Sequence, residues 1–166
     1  MSRFTPLPAG LAIHHPVALI ATWFGAGLIR PAPGTWGSLA AVPFAYLIVH
    51  FFGAPMLALA AVTAFIAGAW AATRYCAAGG TDDAPEIVID EVAAMWLVLA
   101  ALPMSPLNWL AGFVLFRIYD IWKPWPIRTI ERRFKGGFGV MADDMIAAIY
   151  AVLAFVFFDI LITVAL

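Results

Sequence analysis

Val92-Ala-Ala-Met-Trp-Leu-Val-Leu-Ala-Ala-Leu-Pro-Met-Ser-Pro-Leu-Asn-Trp-Leu-Ala-Gly-Phe-Val-Leu-Phe116 is an apolar run that a single membrane-crossing helix could fill, except that Pro103 and Pro106 interrupt it. Proline lacks an N–H and its ring clashes with the preceding turn, so two at this spacing favour a tight turn over a continuous helix. The run therefore predicts a hairpin of two short helices, from about Glu86 to Leu102 and from about Pro106 to Trp122. Three more apolar segments, about Ser38 to Phe52, Pro55 to Arg74 and Asp143 to Val164, approach the roughly 20 residues that a helix needs to cross hydrocarbon. The expected fold class is all-α, a polytopic membrane helical bundle of about five spans, with residues 1–166 forming one domain.

Composition supports that class: 64% of the 166 residues are hydrophobic, 11% are charged, and the mean hydropathy is +0.96. These values lie far from those of an ordinary soluble domain. His14 to Arg30 is too broken to count as a span and reads as an interfacial helix. Pro6, Pro8 and Gly10 interrupt the start of the chain, so no continuous signal-peptide core is expected. Cys76 is the only cysteine, which excludes an internal disulfide.

Five crossings fix the side on which each charge must lie. The turns at Phe52-Gly53-Ala54 and Pro103 to Pro106 carry no charge, whereas Arg30, Arg74 and the basic run Arg117 to Lys135 share the opposite side. By the positive-inside bias that side is cytoplasmic. The same alternation brings Thr35, Asp90, Glu91, Asp120, Lys123, Asp143 and Asp144 to one membrane face. Trp23, Trp36, Trp122 and Trp125 fit headgroup depth there.

Charge in so apolar a chain is costly unless it meets water, a partner, a metal or a substrate. Several carboxylates at close range repel unless they are protonated or bridged by a cation, and Mg2+ prefers such oxygen ligands. Acids at a helix start also favour the macrodipole, so capping is an alternative account of Asp90-Glu91 and of Asp143-Asp144. Arg117 and Asp120, three residues apart, could be an ordinary helix pair. Arg128, Arg132 and Arg133 read as contacts to anionic lipid, and Lys123 as the better phosphate contact. The glycines of Pro33-Gly-Thr-Trp-Gly-Ser38 would let backbone N–H groups approach an anion, with helix capping the alternative for Ser38. Gly136-Gly-Phe-Gly139 reads as a mobile loop. No Walker A motif occurs, His14, His15 and His50 form no phosphohistidine constellation, and Cys76 lacks an arginine five residues on. Covalent catalysis through histidine or cysteine is therefore not expected. Asp159, about four turns beyond Asp143, falls toward the other face.

Gly25-Ala-Gly27, Pro33-Gly-Thr-Trp-Gly-Ser38, Ile87-Val-Ile-Asp-Glu91, and the block Phe116-Arg-Ile-Tyr-Asp-Ile-Trp-Lys-Pro-Trp-Pro-Ile-Arg128 continuing through Gly136-Gly-Phe-Gly-Val-Met141 to Asp143-Asp144 together resemble the bacterial phosphatidylglycerophosphatase A family over nearly the whole chain. The resemblance implies a Mg2+-dependent inner-membrane phosphatase that converts phosphatidylglycerophosphate to phosphatidylglycerol and inorganic phosphate. It places the family's acidic positions on Asp90, Glu91, Asp120, Asp143 and Asp144. Ala94 and Ala148 stand where related sequences usually have glycine, a departure that bears on helix packing. The expected mechanism has the carboxylates holding one or two Mg2+ ions, with Asp90, Asp120, Lys123 and Asp144 catalytic. Lys123, Arg117 and Thr35 would orient the phosphoryl group, and direct water attack is preferred to an aspartyl-phosphate. The expected partners are the lipid substrate and membrane lipids, with no nucleic acid. A small transporter of an anionic solute is the rival reading, but transport needs polar groups near the midplane and these concentrate at one face. A lipid-binding scaffold would leave the carboxylate pairs unexplained.

Overall fold

A computed structural model describes residues 3–81, 84–134 and 136–165, without the side chains of residues 130–132. The described chain forms seven α-helices: α1 (Pro16–Ala21), α2 (Pro33–Phe52), α3 (Ala54–Gly79), α4 (Ile89–Ala101), α5 (Pro106–Trp122), α6 (Ile127–Arg133) and α7 (Gly136–Ala165). A single 3-10 turn, Ala26–Leu28, follows α1. Among the described residues the only β pairing is an isolated bridge between Phe4 and Ile29.

Three of these helices, α2, α3 and α7, are long and apolar enough to cross a membrane. The proline hairpin forms as the sequence predicts. Leu102 ends α4 in an extended conformation, and Ser105 caps α5 by accepting the N–H of Asn108 at 3.2 Å. At 1.5 Å per residue α4 spans roughly 20 Å. It sits in the middle of the bundle, packed on α2, α3, α5 and α7. Val92, Ala93, Ala94, Met95 and Val98 are fully buried.

Three helix starts differ from the sequence reading, the least of them α4, which begins at Ile89 instead of about Glu86. α2 begins at Pro33 instead of Ser38, because Pro33 supplies a preset φ in its first turn and Gly34 and Gly37 are buried against other helices. α7 begins at Gly136 instead of Asp143, so Gly136 to Gly139 is helix and the expected mobile loop is absent. A Cβ on Gly137 would collide with the backbone of Ala69 and Thr73 in α3. Packing therefore overrides the poor helix propensity of glycine there.

The interfaces are built from small residues. Ala45, Ala61, Ala72, Ala94, Ala147 and Ala151 are fully buried, which lets helix backbones approach closely where dispersion must hold a bundle together in lipid. Trp96 in α4 donates its Nε1 hydrogen to the Ala41 carbonyl of α2 at 3.0 Å. Outward faces are apolar: Phe51, Leu107, Phe157 and Val164 are all exposed. Such faces suit hydrocarbon and not water, which supports membrane association.

The segment expected to be an interfacial helix is shorter than the sequence suggested. α1 buries Val17, Ala18 and Ala21, packs on α3, and offers the Ala21 carbonyl to the Val88 N–H at 2.9 Å. It thereby ties down the segment that leads into Asp90.

Candidate active site

The hairpins α2/α3 and α4/α5 put the start of α2, the end of α3, the start of α4 and the end of α5 at one end of the bundle, and the start of α7 joins them. A cavity of about 370 Å3 opens there. Its walls are Ala32 to Gly34, the approach to α4 including Ala84 and Pro85, the α5 end with Arg117, Asp120 and Lys123, and α7 from Gly136 to Asp144. Asp90, Glu91, Asp120, Asp143 and Asp144 all line it. Thr35, in the first turn of α2, does not.

The five acids divide into two sets. Oxygens of Asp90, Glu91 and Asp144 all lie within 4.8 Å of one another. Glu91 Oε2 and Asp144 Oδ2 are buried and have no hydrogen-bond partner among the described residues. Asp120 Oδ2 is 2.6 Å from Arg117 Nη1, and Asp143 Oδ2 accepts from Lys123 Nζ at 2.6 Å. Arg117 Nη1 also lies 3.9 Å from Glu91 Oε1. Both cations thus line the cavity beside an acid.

Helix position accounts for each side chain. Asp90 and Glu91 occupy the first turn of α4, where the capping account still applies: Asp90 Oδ1 accepts the Glu91 N–H at 3.0 Å. That account fails for Asp143 and Asp144, which are seven and eight residues inside α7 and are buried. Lys123 ends α5 in a left-handed conformation (φ +46°), with its N–H on the Tyr119 carbonyl at 2.8 Å. This cap turns the chain so that the lysine reaches across to α7.

Two supporting residues were not assigned from the sequence. Ser38 donates to the Gly34 carbonyl at 2.8 Å and accepts from Arg117 Nη1 at 3.4 Å, so it orients the guanidinium instead of capping a helix. A Cβ on Gly34 would strike the Glu91 carboxylate. The glycine motif at the start of α2 is thus the surface against which Glu91 and Arg117 pack. Lys135 and the side chain of Arg132 lie outside the described residues, and Asp159 is exposed near Leu107 and Asn108, at the other end of α5.

The sequence model of phosphatidylglycerophosphatase A matches residues 19–159. The chain belongs to the phosphatidylglycerophosphatase A family. It is 41% identical over 154 residues to phosphatidylglycerophosphatase A of Haemophilus influenzae, covering 92% of this chain and 94% of that protein. To phosphatidylglycerophosphatase A of Escherichia coli it is 42% identical over 140 residues, covering 84% and 81% respectively. A Bacteroides thetaiotaomicron protein provisionally named a phosphatidylinositol-3-phosphatase is 41% identical over 143 residues, covering 80% and 87%. No solved structure matches the chain. The family match spans every acid and base that lines the cavity.

Proposed function

We propose that this chain is a Mg2+-dependent phosphatase of the inner membrane that removes the terminal phosphate of phosphatidylglycerophosphate, releasing phosphatidylglycerol and inorganic phosphate. One observation carries the reading: carboxylate oxygens from α4 and α7 converge within 4.8 Å beside Arg117 and Lys123, in a chain of this family. Family membership and the curated relatives support the substrate. The donor set supports the metal, since a hard divalent cation takes oxygen ligands and the buried oxygens of Glu91 and Asp144 have no partner among the described residues.

Asp90, Glu91 and Asp144 would hold the ion, with Asp120 and Asp143 flanking it. When bound, Mg2+ would supply Lewis-acid stabilisation of the phosphoryl oxygens and favour ionisation of a nearby water. The protein's own contribution is electrostatic and positional. Arg117, steadied by Ser38 and Asp120, and Lys123, steadied by Asp143, aim positive charge into the cavity where the phosphoryl group gains negative charge. Water attacks phosphorus, the bond to the glycerol oxygen breaks, and the departing oxygen takes up the proton that the attacking water has lost. A carboxylate of the cluster carries that proton from one to the other. Phosphate monoesters hydrolyse very slowly unaided, so this stabilisation must be large.

The cavity end carries Arg30, Arg117, Lys123 and Arg128, while the turns after α2 and α4 carry no charge, so the site is assigned to the cytoplasmic face. Five crossings are proposed. α4 needs no match to the roughly 30 Å of hydrocarbon because its neighbours shield it from lipid. Transport is disfavoured by the middle of the bundle, where alanine and aliphatic side chains fill the space between helices.

The test is phosphate release from phosphatidylglycerophosphate in mixed micelles, with and without Mg2+, for the wild type and for Asp90→Asn and Asp144→Asn. Each variant should lose about 100-fold or more in turnover at saturating Mg2+ while still inserting and purifying. Full activity in both would overturn the assignment.

A further inference from the structure

The carboxylate cavity accounts for the terminal phosphate and leaves the rest of a diacyl lipid without a place. A second feature begins where the cavity ends. Lys123 lines the cavity and also a shallow site with Trp122, Pro124, Trp125 and Arg128. Trp122 and Pro124 in turn line an apolar groove of about 490 Å3 between the end of α5 and the middle of α7, walled by Tyr119, Tyr150, Ala154 and Phe157. The three spaces therefore adjoin, each sharing lining side chains with the next. Resting on the phosphatase reading above, we infer that these adjoining spaces form the lipid-recognition site: Arg128 takes the inner phosphodiester, and the α5/α7 groove takes one acyl chain of the substrate.

Depth, charge and preorganisation support that occupant. Along α7, Tyr150 lies seven residues beyond Asp143, or roughly 10 Å at the helical rise, and the groove runs on to Phe158. A lipid whose terminal phosphate reaches Asp143 must cross this interval with a glycerol and a phosphodiester before its chains begin. Arg128 is exposed at that level and is in no ion pair among the described residues, so its charge is available to a phosphodiester. Trp122 and Trp125 are 62% and 80% exposed, as residues at the headgroup boundary are. The mouth is also held in shape. Arg128 Nη2 donates to the Trp122 carbonyl at 3.1 Å, and the Tyr150 hydroxyl donates to the Trp125 carbonyl at 3.2 Å. Tyr119 and Tyr150 pack edge to face with ring centroids 5.7 Å apart, which fixes the groove floor.

The experiment compares long-chain phosphatidylglycerophosphate with its deacylated headgroup as substrates of purified protein in mixed micelles. Ala154→Phe fills the groove and should lower kcat/KM for the long-chain lipid about ten-fold while leaving the deacylated headgroup unchanged. Leu153→Trp, which fills the same groove from a more exposed position, guards against one variant failing to fold. Leu161→Phe, on an exposed face of α7 outside the groove, should change neither. Arg128→Ala should raise KM for both substrates, since both carry the inner phosphodiester, and leave kcat near wild type. If both groove variants reduce the two substrates equally, or reduce neither, the groove holds only bulk lipid and the inference is overturned while the phosphatase reading stands. If the wild type releases no phosphate from the intact lipid, both fall together.

Discussion

Lys123 is the residue on which recognition and catalysis separate. It lines the cavity, contacts Asp143 at 2.6 Å and ends a helix in a left-handed turn that fixes its direction. Arg133 lies in α6, exposed, where salt screens its charge. Lys123→Ala should therefore lower kcat strongly, by roughly 100-fold, while Arg133→Ala mainly raises KM. Kinetics in mixed micelles check this, and a change in KM alone for both variants would remove Lys123 from the catalytic set. The charged residues were legible in the sequence because ionisable groups in an apolar chain announce a site. Gly34 and Ser38 were not, since their roles are contacts with Glu91 and Arg117, more than fifty residues away, that no local pattern encodes.

At the scale of the element, the proline pair correctly predicted the α4/α5 hairpin, while propensity misplaced the starts of α2 and α7. Both errors have one cause. Glycine reads as loop in isolation, yet at Gly34 and Gly137 its missing Cβ is what allows a helix to approach its neighbour. Moving the start of α7 back to Gly136 also carries Asp143 and Asp144 away from the helix terminus, so capping no longer explains them. The lengths that result, 13 residues in α4 and 17 in α5, make the span count a matter for experiment. In a Cys76→Ser background, cysteines introduced at Arg30, Ala78 and Phe134 should react with reagents applied from the cytoplasmic side. Those at Gly53 and Ser105 should react only from the other side. Cytoplasmic labelling at position 105 would make the α4/α5 hairpin re-entrant.

For the molecule as a whole, the alternation of spans foretold that residues scattered from Asp90 to Asp144 would meet at one end, and the cavity brings them there. What alternation could not foretell is the division of labour among the acids. Arg117 pairs with Asp120 and also lies 3.9 Å from Glu91, Lys123 pairs with Asp143, and Asp90, Glu91 and Asp144 converge. That division, with a Mg2+ ion at the converging trio, is the central claim. Electron paramagnetic resonance of Mn2+, a spectroscopic substitute for Mg2+, tests it without relying on turnover. Purified wild-type protein in micelles should bind Mn2+ in a form that Mg2+ displaces, and the Asp90→Asn/Asp144→Asn double variant, with helix content unchanged, should lose that bound signal. Undiminished, Mg2+-displaceable Mn2+ binding in the double variant would contradict the account.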